Sequence, residues 1–157
     1  MTRERKSVTS LLHQLTLKED PHPDTEFYYR QQFRIYSEPY LIWDRETWET
    51  IFSTCTVYRV EIEGRYAGDL IIEDIGRGTK YIVDFSLLPD YQGKGIGRAV
   101  LERIKEMSRR LTAVTREEML PFFLKCGFVL NRTLKNYYFR NVDGYFISFS
   151  GGSQDRR

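Results

Sequence analysis

Cysteine and histidine are scarce in this sequence, with two of each among 157 residues. Cys55 and Cys126 are too few for a disulfide framework or a cysteine-rich zinc site, which favours a reducing compartment and predicts a cytoplasmic protein. His13 and His22 have no partner at the spacing of metal ligands, so we expect no metal site.

Long apolar runs and an excess of one charge are also missing. No stretch approaches the roughly 18 apolar residues that a membrane-spanning helix needs. The basic start MTRERKSVTS has no apolar segment behind it, unlike a signal peptide. The 24 Lys and Arg residues nearly balance the 22 Asp and Glu residues. We therefore expect neither a membrane nor a nucleic acid as partner.

The remaining composition indicates one globular domain. Apolar residues make up 41% of the chain and aromatic residues 15%, enough to build a core. We expect a single domain over residues 1–150, followed by a disordered tail, GGSQDRR, over residues 151–157.

The first half of the chain predicts helices followed by a hairpin. A first strand is expected within Val8–Leu17, and Asp44 is placed to cap a short helix, RETWETIF. A period of two then predicts strands over Val57–Glu63 and Tyr66–Ile72. Three aromatic residues at i, i+4 and i+7 predict a helix whose buried face they form: Tyr29, Phe33 and Tyr36.

The second half alternates strands and helices, which predicts a mixed α/β class. The strand TKYIVDFSLLPD ends at Pro89, and LTAVT is a short buried strand. Between them, five apolar residues at helical spacing predict a long amphipathic helix: Ile96, Val100, Ile104, Met107 and Leu111.

The C-terminal part predicts one more helix and two strands. This helix starts either at a capping box of Thr115 and Glu118 or nearer Pro121, and both starts remain open. Gly127 is expected to end it, and an Asn-Val-Asp-Gly turn is expected to join the last two strands.

Alternate glycines precede the long helix, in Gln92-Gly93-Lys94-Gly95-Ile96-Gly97-Arg98. A Walker loop would need Ser or Thr after Lys94, and a dinucleotide fingerprint would need glycine at position 98 or 100, so both motifs fail. Free N–H groups at a helix start, beside Lys94 and Arg98, suit a diphosphate. An ordinary strand-to-helix turn is the alternative interpretation.

This segment resembles the acyl-CoA pyrophosphate loop, Q/R-x-x-G-x-G/A, of the GNAT superfamily of N-acetyltransferases. Phe122-Phe123-Leu124-Lys125-Cys126-Gly127-Phe128 resembles a second mark of that family, aromatic–Tyr–x–Lys–x–Gly–Phe. The resemblance implies a mixed, mostly antiparallel sheet flanked by helices, with a splayed parallel strand pair that holds acyl-CoA. It implies acetyl-CoA binding by the backbone of one strand and by the glycine loop: Phe85, Ser86, Leu87, Leu88, Gln92, Gly93, Lys94, Gly95, Ile96, Gly97 and Arg98.

The resemblance also implies direct attack of an amine on the thioester. Asp84, an acid in an apolar strand, is the first candidate for the base, and ammonium anchor and purely structural acceptor are its other interpretations. Lesser candidates for the base are Glu61, Glu63 and Tyr81. Phe123 stands where many members have a tyrosine that protonates the thiolate. That role then passes to Tyr137, Tyr138 or water, or the thiolate leaves unprotonated.

These features predict an acetyl-CoA-dependent N-acetyltransferase for a primary amine, either a small molecule or a peptide or protein amine. A non-catalytic acyl-CoA-binding sensor or interaction module is the alternative, because Phe123 has no proton to donate. Members of the family often pair through their later strands, so the resemblance also implies a homodimer.

Overall fold

The structure, a computed structural model, describes residues 14–151. The predicted first strand is present at Leu15–Glu19. The earlier part of the predicted strand, His13 and the tail from residue 152 lie outside the described residues.

Within the described residues, seven strands form one sheet in the order β1-β2-β3-β4-β5-β7-β6. The strands are β1 (Leu15–Glu19), β2 (Thr56–Ile62), β3 (Arg65–Gly76), β4 (Thr79–Leu87), β5 (Arg110–Thr115), β6 (Val129–Phe139) and β7 (Val142–Ser150). The helices are α1 (Thr25–Ile35), α2 (Arg45–Thr54), α3 (Ile96–Glu106) and α4 (Leu120–Lys125). In this sheet β4 and β5 run parallel and the other neighbours antiparallel, which confirms the expected mixed, mostly antiparallel fold class.

Helix α3 packs its apolar face on the larger core cluster. Ile96, Val100 and Ile104 are each almost fully buried, as their spacing predicts. The helix ends sooner than predicted, because Met107 is its exposed C-cap and Leu111 already belongs to β5. Leu111 is buried in the same core as α3, and this shared burial mimics a continued helical period.

Helix α1 corrects the predicted aromatic face. Tyr28 and Gln32 are the buried residues of α1, whereas Phe33 is 54% exposed and Tyr36 lies just beyond the helix as its C-cap. Two aromatic rings of α2 make edge or tilted contacts with Tyr28: Trp48 and Phe52. Helix α2 itself starts as predicted, with the Asp44 carboxylate accepting the Thr47 N–H at 2.7 Å.

The C-terminal elements correct two further predictions. A 3₁₀ turn over Glu117–Met119 precedes α4 and has no side-chain cap, so the Thr115 and Glu118 capping box is wrong. Pro121 lies in the first turn of α4, where its missing N–H costs nothing. The chain turns between Phe139 and Val142, earlier than predicted, because Asn141 adopts a φ of 63°.

Candidate active site

Strands β4 and β5 part in the middle of the sheet. Their parallel pairing runs from Thr79 opposite Arg110 to Ile82 opposite Ala113 and ends there. Beyond this point β4 continues to Leu87 along β3, while β5 continues to Thr115 along β7. The result is a wedge-shaped gap, bordered on one side by the last five residues of β4.

Irregular pairing on the β3 side accompanies this separation. Ile71 lies opposite Asp84 and Ile72 opposite Ile82, so Val83 is an extra residue in β4. A bulge of this kind bends its strand and increases its twist. Val83 follows directly on Ile82, the last residue paired with β5, so the bend and the separation coincide.

The end of β4 lies very close to β3. A Cβ atom placed on Gly68 would lie 2.0 Å from the Ser86 carbonyl oxygen and 2.9 Å from Leu87 Cα. Glycine is therefore required at position 68. This close approach keeps the last residues of β4 on the β3 side of the gap.

The backbone groups of β4 alternate between β3 and the gap. The Leu88 N–H donates to the Ala67 carbonyl at 2.8 Å, which turns Leu88 toward β3. By alternation Phe85 and Leu87 present their N–H groups to the gap. The sequence interpretation groups Leu88 with them, but the Leu88 N–H already has this partner. Gln92 Nε2 donates to the Leu87 carbonyl at 2.8 Å and ties the glycine loop to the strand.

The glycine loop ends at an uncapped helix start. Gly93 and Gly95 have φ values of 72° and 84°, a region that favours glycine. Gly95 is the N-cap of α3, and no side chain caps this end of the helix. Lys94 and Arg98 are exposed, whereas the Ile96 side chain is buried, so Ile96 could contact a ligand only through its backbone. The loop therefore offers N–H groups, the helix dipole and two cations at one place.

Asp84 lies one residue past the bulge and is only partly buried. The Tyr36 hydroxyl donates to Asp84 Oδ1 at 3.3 Å. Burial, and then the Asp84 charge, raise the pKa of Tyr36 well above its usual value, so this phenol stays protonated. The Arg116 guanidinium lies 5.5 Å from the centre of the Tyr36 ring.

Asp69 is a buried acid that the sequence interpretation missed. It is 2% exposed, and its side chain interacts with that of Asp84. Burial, followed by the Asp84 charge, raises the pKa of Asp69 well above its usual range. The available signal was an acid inside the apolar run Ala67–Ile72, the same signal that identified Asp84.

The two tyrosines predicted as proton donors occupy different surroundings. The Tyr138 hydroxyl donates to the carbonyl of Val114 at 3.1 Å, and Val114 is one residue beyond the last β5 residue that pairs with β4. Burial raises the pKa of Tyr138, with the neighbouring Tyr137 as the next cause. Tyr137 is 49% exposed and contacts the Tyr138 ring edge-on. Phe123 is buried between Phe122 and Phe128.

The lesser candidates lie in less suitable positions. Glu61 is ion-paired with Arg59 at 3.7 Å, and Glu63 is exposed in the β2–β3 turn. Burial, and then Tyr137, raise the pKa of Tyr81, which opposes ionisation of this phenol. Burial also raises the pKa of the Cys126 thiol, consistent with its expected role as a small core residue.

Two aromatic hollows lie beside the site, one lined by Tyr36 and the other by Tyr138. The first, of about 370 Å³, is called the α1 hollow and is lined by Tyr29, Phe33, Tyr36, Ser37, Pro39, Ile42, Trp43 and Asp44. The second, of about 630 Å³, is lined by Pro39, Tyr40, Tyr138 and Phe139. Gln32 fixes the wall of the α1 hollow, because its side-chain amide donates to the Trp43 carbonyl and accepts the Trp43 N–H.

Two further properties concern residues 14–151 alone. This part of the chain contains no group of three His, Cys, Asp or Glu residues that could hold a metal ion. It also contains no helix that is long and apolar enough to cross a bilayer.

A family model described as an acetyltransferase (GNAT) domain matches residues 53–130, which include β4, the glycine loop and α4. No curated protein matches the sequence at a significant level. Several solved structures, in contrast, match the chain significantly. The ribosomal-protein-S18-alanine N-acetyltransferase of Escherichia coli aligns with a TM-score of 0.72 and 20% identity, over 87% of this chain and 93% of that chain.

Two more solved structures have the same fold. A chimera of Vibrio cholerae spermidine N-acetyltransferase and hSSAT aligns with a TM-score of 0.74 and 18% identity, over 92% of this chain and 99% of that chain. A GNAT family acetyltransferase from Elizabethkingia anophelis, solved with acetyl-CoA bound, aligns with a TM-score of 0.65 and 14% identity, over 87% and 98%.

The fold and the family match together define an acyltransferase. The chain belongs to the GNAT superfamily of acetyltransferases, as its glycine loop predicts. This family transfers the acetyl group of acetyl-CoA.

Proposed function

We propose that the protein is an N-acetyltransferase that moves the acetyl group of acetyl-CoA to a primary amine by direct attack on the thioester. The gap between β4 and β5 carries this proposal, because it lies between an uncapped, glycine-lined helix start and a partly buried carboxylate. An ordinary strand-to-helix turn would need neither the gap nor the carboxylate.

The residues of the gap fit an extended acyl-CoA. Phe85 and Leu87 present N–H groups that a pantetheine chain could pair with, as a neighbouring strand would. The first N–H groups of α3, with Lys94 and Arg98, hold the diphosphate. Space is available at the loop, since a Cβ atom on Gly93 would have no other heavy atom within 4 Å.

Acetyl-CoA supplies an activated acyl group. Asp84 then either accepts a proton from the ammonium or anchors it, and an N–H of Phe85 or Leu87 donates to the thioester oxygen as negative charge develops there. Tyr138 is the best-placed candidate for protonating the thiolate, because it stands across the gap at the end of β5. Tyr137 and water are the alternatives.

The α1 hollow supports an acceptor that carries an apolar group next to its amine. Tyr36 connects the α1 hollow to the Asp84 carboxylate, since its ring lines the hollow and its hydroxyl reaches Asp84. Aromatic walls bind apolar groups and also attract cations. The similar structures include enzymes named for an alanine of ribosomal protein S18 and for spermidine, so both a peptide and a small amine belong in the test.

The first experiment is a calorimetric titration with acetyl-CoA, with ATP and NAD as controls. Micromolar binding of acetyl-CoA alone is expected, and absence of binding would remove the proposal. An amine panel then follows free thiol release, with phenethylamine, an alanyl peptide and spermidine. Acetyl-CoA binding without turnover on any amine would favour the sensor, the interpretation that Phe123 keeps open.

A matched pair of variants tests the acceptor side. Phe33→Ala removes an exposed ring from the α1 hollow, and Ile75→Ala removes an equally exposed side chain from the distant β3–β4 hairpin. Phe33→Ala should raise KM for the best apolar amine about tenfold, which corresponds to about 1.4 kcal/mol. Equal KM values for the two variants would exclude the α1 hollow as the binding site of the acceptor.

We also propose a cytoplasmic homodimer. Both cysteines are free thiols, and the edge strand β6 exposes Val129 and Phe139. One solved relative is described as dodecameric, which is a property of that protein. Light scattering would detect the dimer, and a monomer at all concentrations would contradict it.

A further inference from the structure

We propose that Asp69 and Asp84 act as one proton-accepting pair, in which the proton taken from the amine is shared between the two carboxyls. Asp69 acts through Asp84 and is therefore a positioning residue. The catalytic part rests on the proposed function, whereas proton sharing between the two carboxyls can be tested without any substrate.

The sheet register places the two carboxyls side by side. Asp69 lies opposite Ser86 and Ile71 lies opposite Asp84, so both aspartates point to the same face of adjacent strands. They are diagonal neighbours, offset by two residues. Asp84 is the member nearer the opening, because Asp69 is 2% exposed.

The hydrogen bonding of Asp69 is incomplete without a shared proton. Within the described part of the chain, its Oδ1 atom has no hydrogen-bond donor. Its Oδ2 atom accepts a long bond, 3.4 Å, from the Tyr66 hydroxyl, and Ser86 supplies the other neighbouring hydroxyl. Ionised carboxylates are acceptors only, so the unpaired Asp69 oxygen can form a hydrogen bond with the neighbouring Asp84 carboxyl only when one proton lies between them. That proton satisfies the buried oxygen.

The groups facing the pair favour one bound proton. The hydroxyls of Ser86 and Tyr66 stabilise the ionised form of Asp69, but burial and the Asp84 charge outweigh them. The titratable and charged groups around the pair, by element, are Tyr66 on β3, Tyr36 after α1, Tyr28 on α1, Arg59 on β2, Tyr138 on β6 and Arg116 after β5. Raised pKa values keep the four phenols neutral, so they carry no charge beside the pair, whereas Arg59 and Arg116 are cations that favour its ionised form.

The proton balance closes over one turnover. An N–H bond of the ammonium breaks, its electron pair stays on nitrogen, and the proton passes to the ionised pair. The amine nitrogen then bonds to the thioester carbon and the carbon–sulfur bond breaks. The second nitrogen proton goes to the thiolate, and the pair releases the first proton to solvent. The sum is ammonium plus acetyl-CoA giving amide, free CoA and one proton.

The first test is the pH dependence of stability. The folded-state pKa of Asp69 lies above the value of about 3.9 in an unfolded chain. As pH rises from about 4 through the raised pKa, the unfolded chain has lost this proton while the folded protein still holds it, so folding stability falls. In Asp69→Asn this loss is absent, and its melting temperature should rise relative to wild type as the pH is raised from about 4 to about 8.

Asp74→Asn is the matched control. Asp74 lies exposed in the β3–β4 hairpin, and its bond from the Gly76 N–H, followed by Lys80, lowers its pKa. Asp74 therefore stays ionised between pH 5 and pH 8. The melting temperature of Asp74→Asn should therefore change with pH in parallel with that of wild type. Parallel curves for Asp69→Asn would overturn the proposal.

A second measurement needs no variant. Carbon-13 NMR of aspartate-labelled wild type should show two carboxyl resonances that titrate together with an apparent pKa above that of the other aspartates. Two independent titrations near the ordinary value would overturn proton sharing, even if Asp69→Asn failed to fold.

The catalytic arm uses the amine found by the panel. Asp69→Asn should move the acidic limb of kcat/KM to lower pH by about one unit and lower its plateau at least tenfold. Its acetyl-CoA affinity should stay within twofold. An unmoved limb would overturn the catalytic role. Absence of acetyl transfer in wild type would remove the proposed function and this arm together, while the stability and NMR results still decide proton sharing.

Discussion

Asp84 combines an irregular position in the sheet with access to the gap. It follows the extra residue Val83, and its carboxylate meets the Tyr36 hydroxyl at 3.3 Å. In the proposed reaction the acceptor amine enters as an ammonium with a pKa of about 10.4, and a carboxylate at this point would either bind it or deprotonate it.

Replacing Asp84 by Asn tests both roles at the scale of one residue. We expect kcat to fall by about 10²- to 10⁴-fold if Asp84 is the base, because the amide cannot accept the proton. An anchoring role would instead raise KM for the amine. Acetyl-CoA affinity, measured by calorimetry, should change less than twofold, and normal turnover would exclude Asp84 from both roles.

At this scale the sequence predicts single residues well where local chemistry is unusual. Asp84 is identifiable as an acid in an apolar strand, and the same criterion applied to Ala67–Ile72 identifies Asp69. Its pairing with Asp84 is not predictable, because it depends on the β3–β4 register. The spacing of aromatic residues predicts the wrong buried side of α1, because Tyr28 and Gln32 gain their burial from Trp43 and α2.

The glycine loop and the start of α3 form one element whose geometry depends on positive φ values. Gly95 has a φ of 84°, and Gly76, in the distant β3–β4 hairpin, has a φ of 90° and open space where a Cβ atom would lie. The two positions therefore impose similar strain but lie in different places.

Gly95→Leu and Gly76→Leu form a matched pair. Both should lose about 1–2 kcal/mol of folding free energy, the strain of a left-handed residue. Only Gly95→Leu should weaken acetyl-CoA binding, by tenfold or more, since its side chain and altered backbone disturb the N–H groups of the helix start. Equal affinities by calorimetry would show that the loop does not bind the diphosphate.

The close approach of β3 and β4 gives a prediction about stability. Gly68→Ala should lower the free energy of unfolding by about 3 kcal/mol or more, because its Cβ would lie 2.0 Å from the Ser86 carbonyl oxygen, a backbone atom. In Gly97→Ala the closest atom to the new Cβ is the end of the Phe122 side chain at 3.1 Å, and the better helix propensity of alanine, about 1 kcal/mol, offsets this contact, so the net change should be small. Urea unfolding compares the two, and similar costs would contradict the steric argument.

Element types are predictable from the sequence, whereas several boundaries are not. The helix start at Asp44 and the turn at Gly127 follow from cap chemistry, and both are present. The end of α3 and the turn at Asn141 differ from their predicted places, since each depends on tertiary contacts that a local period does not contain.

For the whole molecule, the gap predicts a difference between the free and the bound protein. The amides of Phe85 and Leu87 should exchange quickly with solvent in the free protein and at least tenfold more slowly with acetyl-CoA, as new bonds protect them. Leu88 is the internal control, because its N–H bonds Ala67 in either state. Hydrogen exchange followed by NMR measures all three, and unchanged rates at Phe85 and Leu87 would contradict binding along β4.

The overall architecture is recognisable from the order of motifs, because the glycine loop and the Lys-Cys-Gly-Phe segment bracket α3 and β5. The separation of β4 from β5 follows only from family resemblance. The features that accompany it, the bulge at Val83 and the tight contact at Gly68, are properties of strand pairing.

The parting of β4 and β5 also has a consequence for solubility. A sheet normally has two free edges, at its outermost strands, and proteins protect such edges against pairing with other chains. This sheet has a further free edge in its interior, along the end of β4. Acetyl-CoA would cover that edge, so aggregation on storage should be faster in protein without acetyl-CoA than in protein kept saturated with it.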